Sequence, residues 1–294
     1  QPSPGMIIRR CSRRGLGCGS WRTATAGGRG GKMPDALSMA HYGLDVRVSH
    51  APLGFGYGGD VIGPLPEIRT LDQIRPSLRD PHCDGPEQVY AIAMDVARQP
   101  HLAELQKRML LFGIVTYAGG RLGDEPVRSQ GHIHRISAHS GWSPPELYEV
   151  WQGRAIIYMQ ERVMHDPGRC FAVCAGPGEQ VLVPPGWAHA TLSADPETPL
   201  TFAAWCDREY GFEYQAVRAH QGLAWYPLLQ GNHIVWQQNP RYRPGRLQVV
   251  TPRRYSEFGL TGQPIYRQFA QSPSRLQFIS QPARMAEKWV HFEP

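Results

Sequence analysis

From residue 88 onward, apolar and polar positions alternate in short runs, and few of these runs keep the three-to-four spacing of a helix. QVYAIAMDVA (88–97) and LLFGIVTYAGG (110–120) read as strands, with AELQKRM (103–109) a short helix or turn between them. ELYEVWQ (146–152), RAIIYMQE (154–161), CFAVCA (170–175), EQVLVP (179–184), HATLSA (189–194) and LTFAAWC (200–206) follow. Each is β-branched or aromatic and is bounded by Gly or Pro turns. No helical crossover separates them, so neighbouring strands must run antiparallel. The pattern predicts an all-β fold, a sandwich or barrel of the jelly-roll kind with short flanking helices and arms.

The flanks read differently. Residues 41–80 are short alternating pieces broken by Gly and Pro, which predicts arms and hairpins laid on a larger body, and 81–87 (PHCDGPE) is a loop. Residues 239–294 are more polar, but PIYRQF and RLQFIS supply apolar anchors, so this extension is expected to pack on the barrel or on a partner subunit. Residues 1–40 are rich in Gly, Arg, Ser and Thr and too poor in apolar side chains to offset the entropy of ordering them. They are expected to be a disordered basic leader. The sequence thus divides into that leader, a domain at 41–238 and the extension. The first residue is Gln, which suggests processing, a fragment, or an extension upstream of a natural start such as Met33 or Met39.

The charge changes the picture less than its total suggests. The formal net charge is +6, yet residues 1–32 hold seven cations (Arg9, Arg10, Arg13, Arg14, Arg22, Arg29 and Lys32) and no acid, leaving 24 basic against 25 acidic residues elsewhere. The basicity belongs to the leader, so neither a nucleic acid nor a membrane surface is an expected partner. Six cysteines without a CxxC pair are expected to be reduced thiols in a cytoplasmic protein. No run approaches the roughly 18 apolar residues that a membrane span requires.

Candidate chemistry concentrates in GHIHRISAHSGWSPPELYEVWQG (131–153) and VLVPPGWAHATLS (181–193). His132 and His134 stand two apart on a strand-like run, which points both imidazoles to one face. After an insert containing Gly141, Pro144 and Pro145, the next strand can return beside the first, with Glu146, Tyr148 and Val150 on one face and Leu147 and Glu149 on the other. His189 opens another strand directly after the turn PPGW, where a barrel can set it opposite the first pair. Three neutral imidazoles and a carboxylate suit one divalent first-row metal ion (Fe, Mn, Ni or Zn), with coordination positions left for water or substrate oxygens.

These stretches resemble the paired motifs of the cupin superfamily. The first motif's HxH, Glu and closing Gly fall on His132, His134, Glu146 and Gly153, and the second's Gly, Pro-x-Gly and His on Gly178, Pro184, Gly186 and His189. The resemblance implies that His132, His134, Glu146 and His189 are the metal ligands, and its spacing selects Glu146 over Glu149. Three positions depart from the pattern: Pro126 stands where a glycine is usual, the gap between His134 and Glu146 is longer, and Ser193 replaces the closing Asn.

A closer resemblance, sharpest in GHIH, ELY, VPPGWAHATLS and DREYG (207–211), is to the cupin-type glucose-6-phosphate isomerases first known from archaea. It implies a metal-dependent aldose–ketose isomerase interconverting glucose 6-phosphate and fructose 6-phosphate through an enediol. In that reading Glu146 is ligand and general base, Tyr90, Tyr148 and Tyr210 face the sugar phosphate, and Gly131 offers backbone contact. Arg208 stands where the family often has a histidine near the substrate and is expected to bind phosphate. The family's Thr on the strand before the metal motif falls on Gly113 or Ile114, and His139 and His165, outside the motifs, are expected at the surface. Cupins of this type often pair as dimers through strand exchange, so a homodimer is the expected assembly. The rival readings are a cupin Fe(II) dioxygenase and a non-enzymatic sugar-binding cupin.

Overall fold

Every residue of the Glu146–Gln152 strand except the last is buried, because the sheet it belongs to is covered on both faces. The computed structural model describes residues 6–7, 36–231 and 233–294. Six strands form the larger sheet, in the order Gln180–Val183, Glu146–Gln152, Thr201–Asp207, Leu110–Tyr117, Gln88–Met94 and Glu67–Thr70, all antiparallel. Facing it is a four-stranded sheet, Ala188–Ser193, Ala155–Gln160, Cys170–Ala175 and Leu247–Val250, whose last strand joins in parallel. The two ladders stay separate, so the fold is a jelly-roll sandwich. Between Glu146 and Asp207 the chain passes repeatedly from one sheet to the other, with Ala155–Gln160 and Cys170–Ala175 forming a hairpin within the smaller sheet.

Period-two alternation then sorts the side chains. Tyr148, Val150, Val181, Phe202, Ile157 and Phe171 meet between the sheets. Their neighbours Leu147, Trp151, Leu182 and Trp205 point outward, into a second cluster built with Ile265, Tyr266, Phe269 and Phe278 of the C-terminal extension. Trp205 is fully buried there and its indole N–H donates to the Ile265 carbonyl. Truncating a residue of this size to Ala costs about 3–5 kcal/mol. The extension therefore covers the outer face of the larger sheet and also donates the edge strand Leu247–Val250 to the smaller one.

From residue 146 to 207 the strand ends lie within a residue of the alternation pattern, with Glu146–Gln152 and Cys170–Ala175 matching it at both ends, whereas Gln88–Met94 and Leu110–Tyr117 each end three residues earlier than expected. The turn region before residue 110 includes the helix Leu102–Lys107. Leader and structure overlap at two places: Met6–Ile7 pairs with Val235 and Trp236, and Leu37–Ser38 with Val48 and Arg47. The rest of the expected disordered leader, up to residue 35, lies outside the described residues. No helix among the described residues is long and apolar enough to cross a membrane.

Candidate metal centre

The two sequence stretches are joined by their backbones before their side chains meet. His132 N–H donates to the His189 carbonyl and His189 N–H to the His132 carbonyl, both at 3.0 Å. Of GHIH, Ile133–His134 forms a short ladder with Phe212–Glu213. Glu146 comes in from the first position of its own strand. Ligand atoms of His132, His134, Glu146 and His189 consequently lie within 4.8 Å of one another.

Hydrogen bonds at the far side of two rings set which nitrogen is presented. His134 Nδ1 is 2.9 Å from the Pro144 carbonyl and His189 Nδ1 is 3.1 Å from the Trp187 carbonyl. A carbonyl only accepts, so each Nδ1 carries the proton and each Nε2 presents its lone pair inward. His189 Nε2 is 3.1 Å and His134 Nε2 is 3.3 Å from Glu146 Oε2. The His134 approach lacks hydrogen-bond geometry, and the buried Nε2 atoms of His132 and His134 have no hydrogen-bond partner. Two buried, orphaned nitrogens aimed at one carboxylate are a costly arrangement alone and a fitting donor set for a divalent cation.

The electrostatics of His132 and Glu146 agree with that donor set. Burial, helped by the other two imidazoles, pulls His132 well below the usual histidine range, so it is neutral and able to ligate. Burial pushes the Glu146 carboxyl up, but contacts with His134 and His189 outweigh it and hold it well below the usual carboxylate range. Burial and the Glu146 charge keep the Tyr148 phenol and the Cys206 thiol well above their ordinary values. Both therefore act as donors: Tyr148 to Glu146 Oε2 at 2.6 Å and Cys206 to Oε1 at 3.0 Å.

The centre opens into a cleft of ≈ 600 Å³, counting space open to solvent, and His132, Glu146, Tyr148 and Tyr90 line it. Gly131 is buried outside the lining, where its φ of +84° and the Leu223 side chain require glycine. Tyr210 is half-buried beside Phe212, also outside the lining. Arg208 is turned away: its guanidinium forms a two-pronged pair with Asp95 at 2.7 and 2.8 Å. Glu149 lies on the outer face of its strand as alternation requires, buried beneath the extension, where it accepts from Trp151 and Ile265. His139 and His165 are exposed.

Other cleft residues were not singled out in sequence: Arg69, Tyr117, Ser129, Thr191, Phe212 and Tyr214. The alternation of Tyr210, Phe212 and Tyr214 was the available signal, and it is Phe212 that pairs with His134 in register. Gly113 also lines the cleft, and a Cβ there would come within 2.5 Å of the Met94 sulfur, so Met94 fills the space of a larger residue.

A sequence model of the glucose-6-phosphate isomerase (GPI) family matches residues 83–244, more than half of the chain. The chain belongs to this family. The matched span holds all four members of the group that could hold a metal ion, as well as Tyr90 and Tyr148. Among curated relatives, a glucose-6-phosphate isomerase of Thermococcus litoralis is 26% identical over 134 residues, covering 46% of this chain and 65% of the relative. One from Pyrococcus horikoshii is 25% identical with the same coverage. A putative glucose-6-phosphate isomerase of Rhizobium meliloti is 25% identical over 137 residues, 46% of this chain and 58% of that one. The chain thus spans a little under two thirds of the length of the isomerases it matches.

Proposed function

We propose that this protein is a metal-dependent isomerase interconverting glucose 6-phosphate and fructose 6-phosphate. The observation that carries the reading is the gathering of His132, His134, Glu146 and His189 within 4.8 Å of one another, at a cleft that His132 and Glu146 line, within the span matched by the isomerase family. A divalent first-row ion held by these four side chains would polarise the C1 and C2 oxygens of the sugar, where charge develops as an enediol forms.

The chain's own groups then have defined tasks. Glu146 takes the proton from C2 of the aldose and returns it to C1, while a hydroxyl proton passes from O2 to O1, so the isomerisation balances without any redox partner. Tyr148 and Cys206 each hold one carboxylate oxygen of Glu146, which restrains the base between the ligand cluster and the substrate. Tyr148 remains protonated throughout and contributes a hydrogen bond. Tyr90 faces the sugar phosphate from the same cleft.

The deciding experiment is a coupled assay that converts fructose 6-phosphate to glucose 6-phosphate, run after EDTA treatment and again with added Fe, Mn, Ni or Zn. Turnover that EDTA removes and a metal restores supports the isomerase. Oxygen consumption with an organic substrate would favour the dioxygenase, and no turnover with any metal would favour a binding protein. The buried thiols Cys83, Cys170 and Cys206, with no disulfide among the described residues, support a cytoplasmic setting. The resemblance to strand-exchanging cupins supports a homodimer, which sedimentation of the purified chain would test.

A further inference from the structure

One cation shares the cleft with the metal-ligating group, and it lies far from the motifs in sequence. Arg69 sits on Glu67–Thr70, the edge strand of the larger sheet, paired in register with Tyr90. Among the described residues that line the cleft it is the one Lys or Arg, and Glu146 is the one acid. Most of the remaining wall is apolar or phenolic. Arg208, the other candidate for an anion, has its guanidinium occupied by Asp95 and lies outside the wall.

The placement of Arg69 suits a substrate with two chemically different ends. Tyr214 is close to the candidate ligands, its ring centroid 6.0 Å from that of His132, and its phenol feels the Arg69 charge. Tyr90 and Tyr214 both line the cleft beside Arg69 and bring two further hydroxyls to that end. Arg69 keeps 20% of its side-chain surface exposed, and Nη1 is 2.7 Å from Glu67 Oε1. Glu67 is 61% exposed, so this pairing is solvent-screened and weak. A guanidinium carries five N–H donors in a planar fork, and one such pairing leaves most of them to engage a phosphate.

We propose that Arg69 is the anion anchor of this cleft, holding the substrate phosphate at the end away from the metal-ligating group, with Glu67 moderating its charge. The identity of the anion rests on the isomerase reading; the existence of the anchor does not.

Two measurements on the full chain test this. In the coupled assay, Arg69→Gln raises KM for fructose 6-phosphate about 10- to 100-fold, the loss expected for hydrogen bonds to a charged group, with bound metal per chain unchanged. Glu67→Gln acts in the opposite direction, lowering KM on the order of twofold to fivefold, which a merely structural role for the pair would not produce. Calorimetric titration with inorganic phosphate reports the same order of affinities, Glu67→Gln tightest and Arg69→Gln weakest, and needs no turnover. Unchanged KM and unchanged phosphate affinity in Arg69→Gln would overturn the anchor. Phosphate binding that depends on Arg69 in a protein without isomerase activity would leave the anchor standing and remove the isomerase reading.

Discussion

His134 Nδ1 lies 2.9 Å from the carbonyl oxygen of Pro144, ten residues further along the chain. The insert that separates the HxH pair from Glu146 therefore orients one of the proposed ligands it interrupts. It is itself pinned from a distance, because Glu209 accepts from the Ser137 hydroxyl at 3.2 Å and from the His139 backbone N–H at 2.7 Å. The Ser143 hydroxyl also donates to the His134 carbonyl at 2.6 Å. Outer partners of metal-bound histidines are typically worth 10- to 100-fold in metal affinity. Glu209→Ala leaves all four ligands in place and loosens the insert. We expect its metal affinity to fall about tenfold in a competition titration against a chelating dye; an affinity equal to wild type would show that the insert does not orient His134.

Gly131 is demanded twice over. Its φ is +84°, and a Cβ would sit 2.9 Å from Leu223 Cδ1. A side chain in the left-handed region costs roughly 1–3 kcal/mol, so Gly131→Ala should lower the urea midpoint correspondingly. Adding Leu223→Ala removes the contact and leaves the backbone strain, so the midpoint of the double variant should stay below that of Leu223→Ala alone. Equal midpoints would mean that the backbone there relaxes freely.

Glu149 gives the fold a pH dependence that is separate from the active centre. Burial raises its carboxyl from 4.5 to about 8, outweighing the hydrogen bonds from Trp151, Ile265 and Gln180. A raised acid binds its proton more tightly folded than unfolded, so its contribution is complete below about pH 4.5 and is lost as pH rises through about 8. The loss is on the order of a few kcal/mol. Thermal unfolding should therefore shift to lower temperature between pH 6 and pH 9, and Glu149→Gln should flatten that slope. A slope that is the same in both proteins would place the pH dependence elsewhere.

Separate roles for the ligands predict separate phenotypes. Glu146→Gln keeps the shape of the side chain and removes the base, so turnover should fall at least 100-fold. His189→Ala should mainly weaken metal retention, with partial turnover recovered at high metal concentration. Full isomerase activity in Glu146→Gln would contradict the base assignment.

How much of this was legible in sequence depends on distance along the chain. Alternation placed His132 and His134 on one face and Glu146 with Tyr148 on another strand whose ends the apolar pattern marks, while the choice of His132, His134, Glu146 and His189 as a ligand set came from the resemblance to the cupin motifs. Arg69 was not, since it lies on a short edge strand within a region that reads as arms, and nothing local says that this strand joins the sheet carrying Glu146. Arg208 shows the converse. Its position beside a motif suggested the substrate, while the residue it meets, Asp95, is 113 positions away. Likewise the alternation that put Glu149 on the outer face carries no sign that Ile265 would cover it.

The most direct test of the central claim is a titration of metal-stripped protein with one divalent ion, following bound metal and fructose 6-phosphate isomerisation together. Turnover should rise in proportion to occupancy and level off at one ion per chain, with Glu146→Gln binding metal but remaining inactive. A wild-type chain that fills its site with Fe, Mn, Ni or Zn and still isomerises nothing would contradict the account.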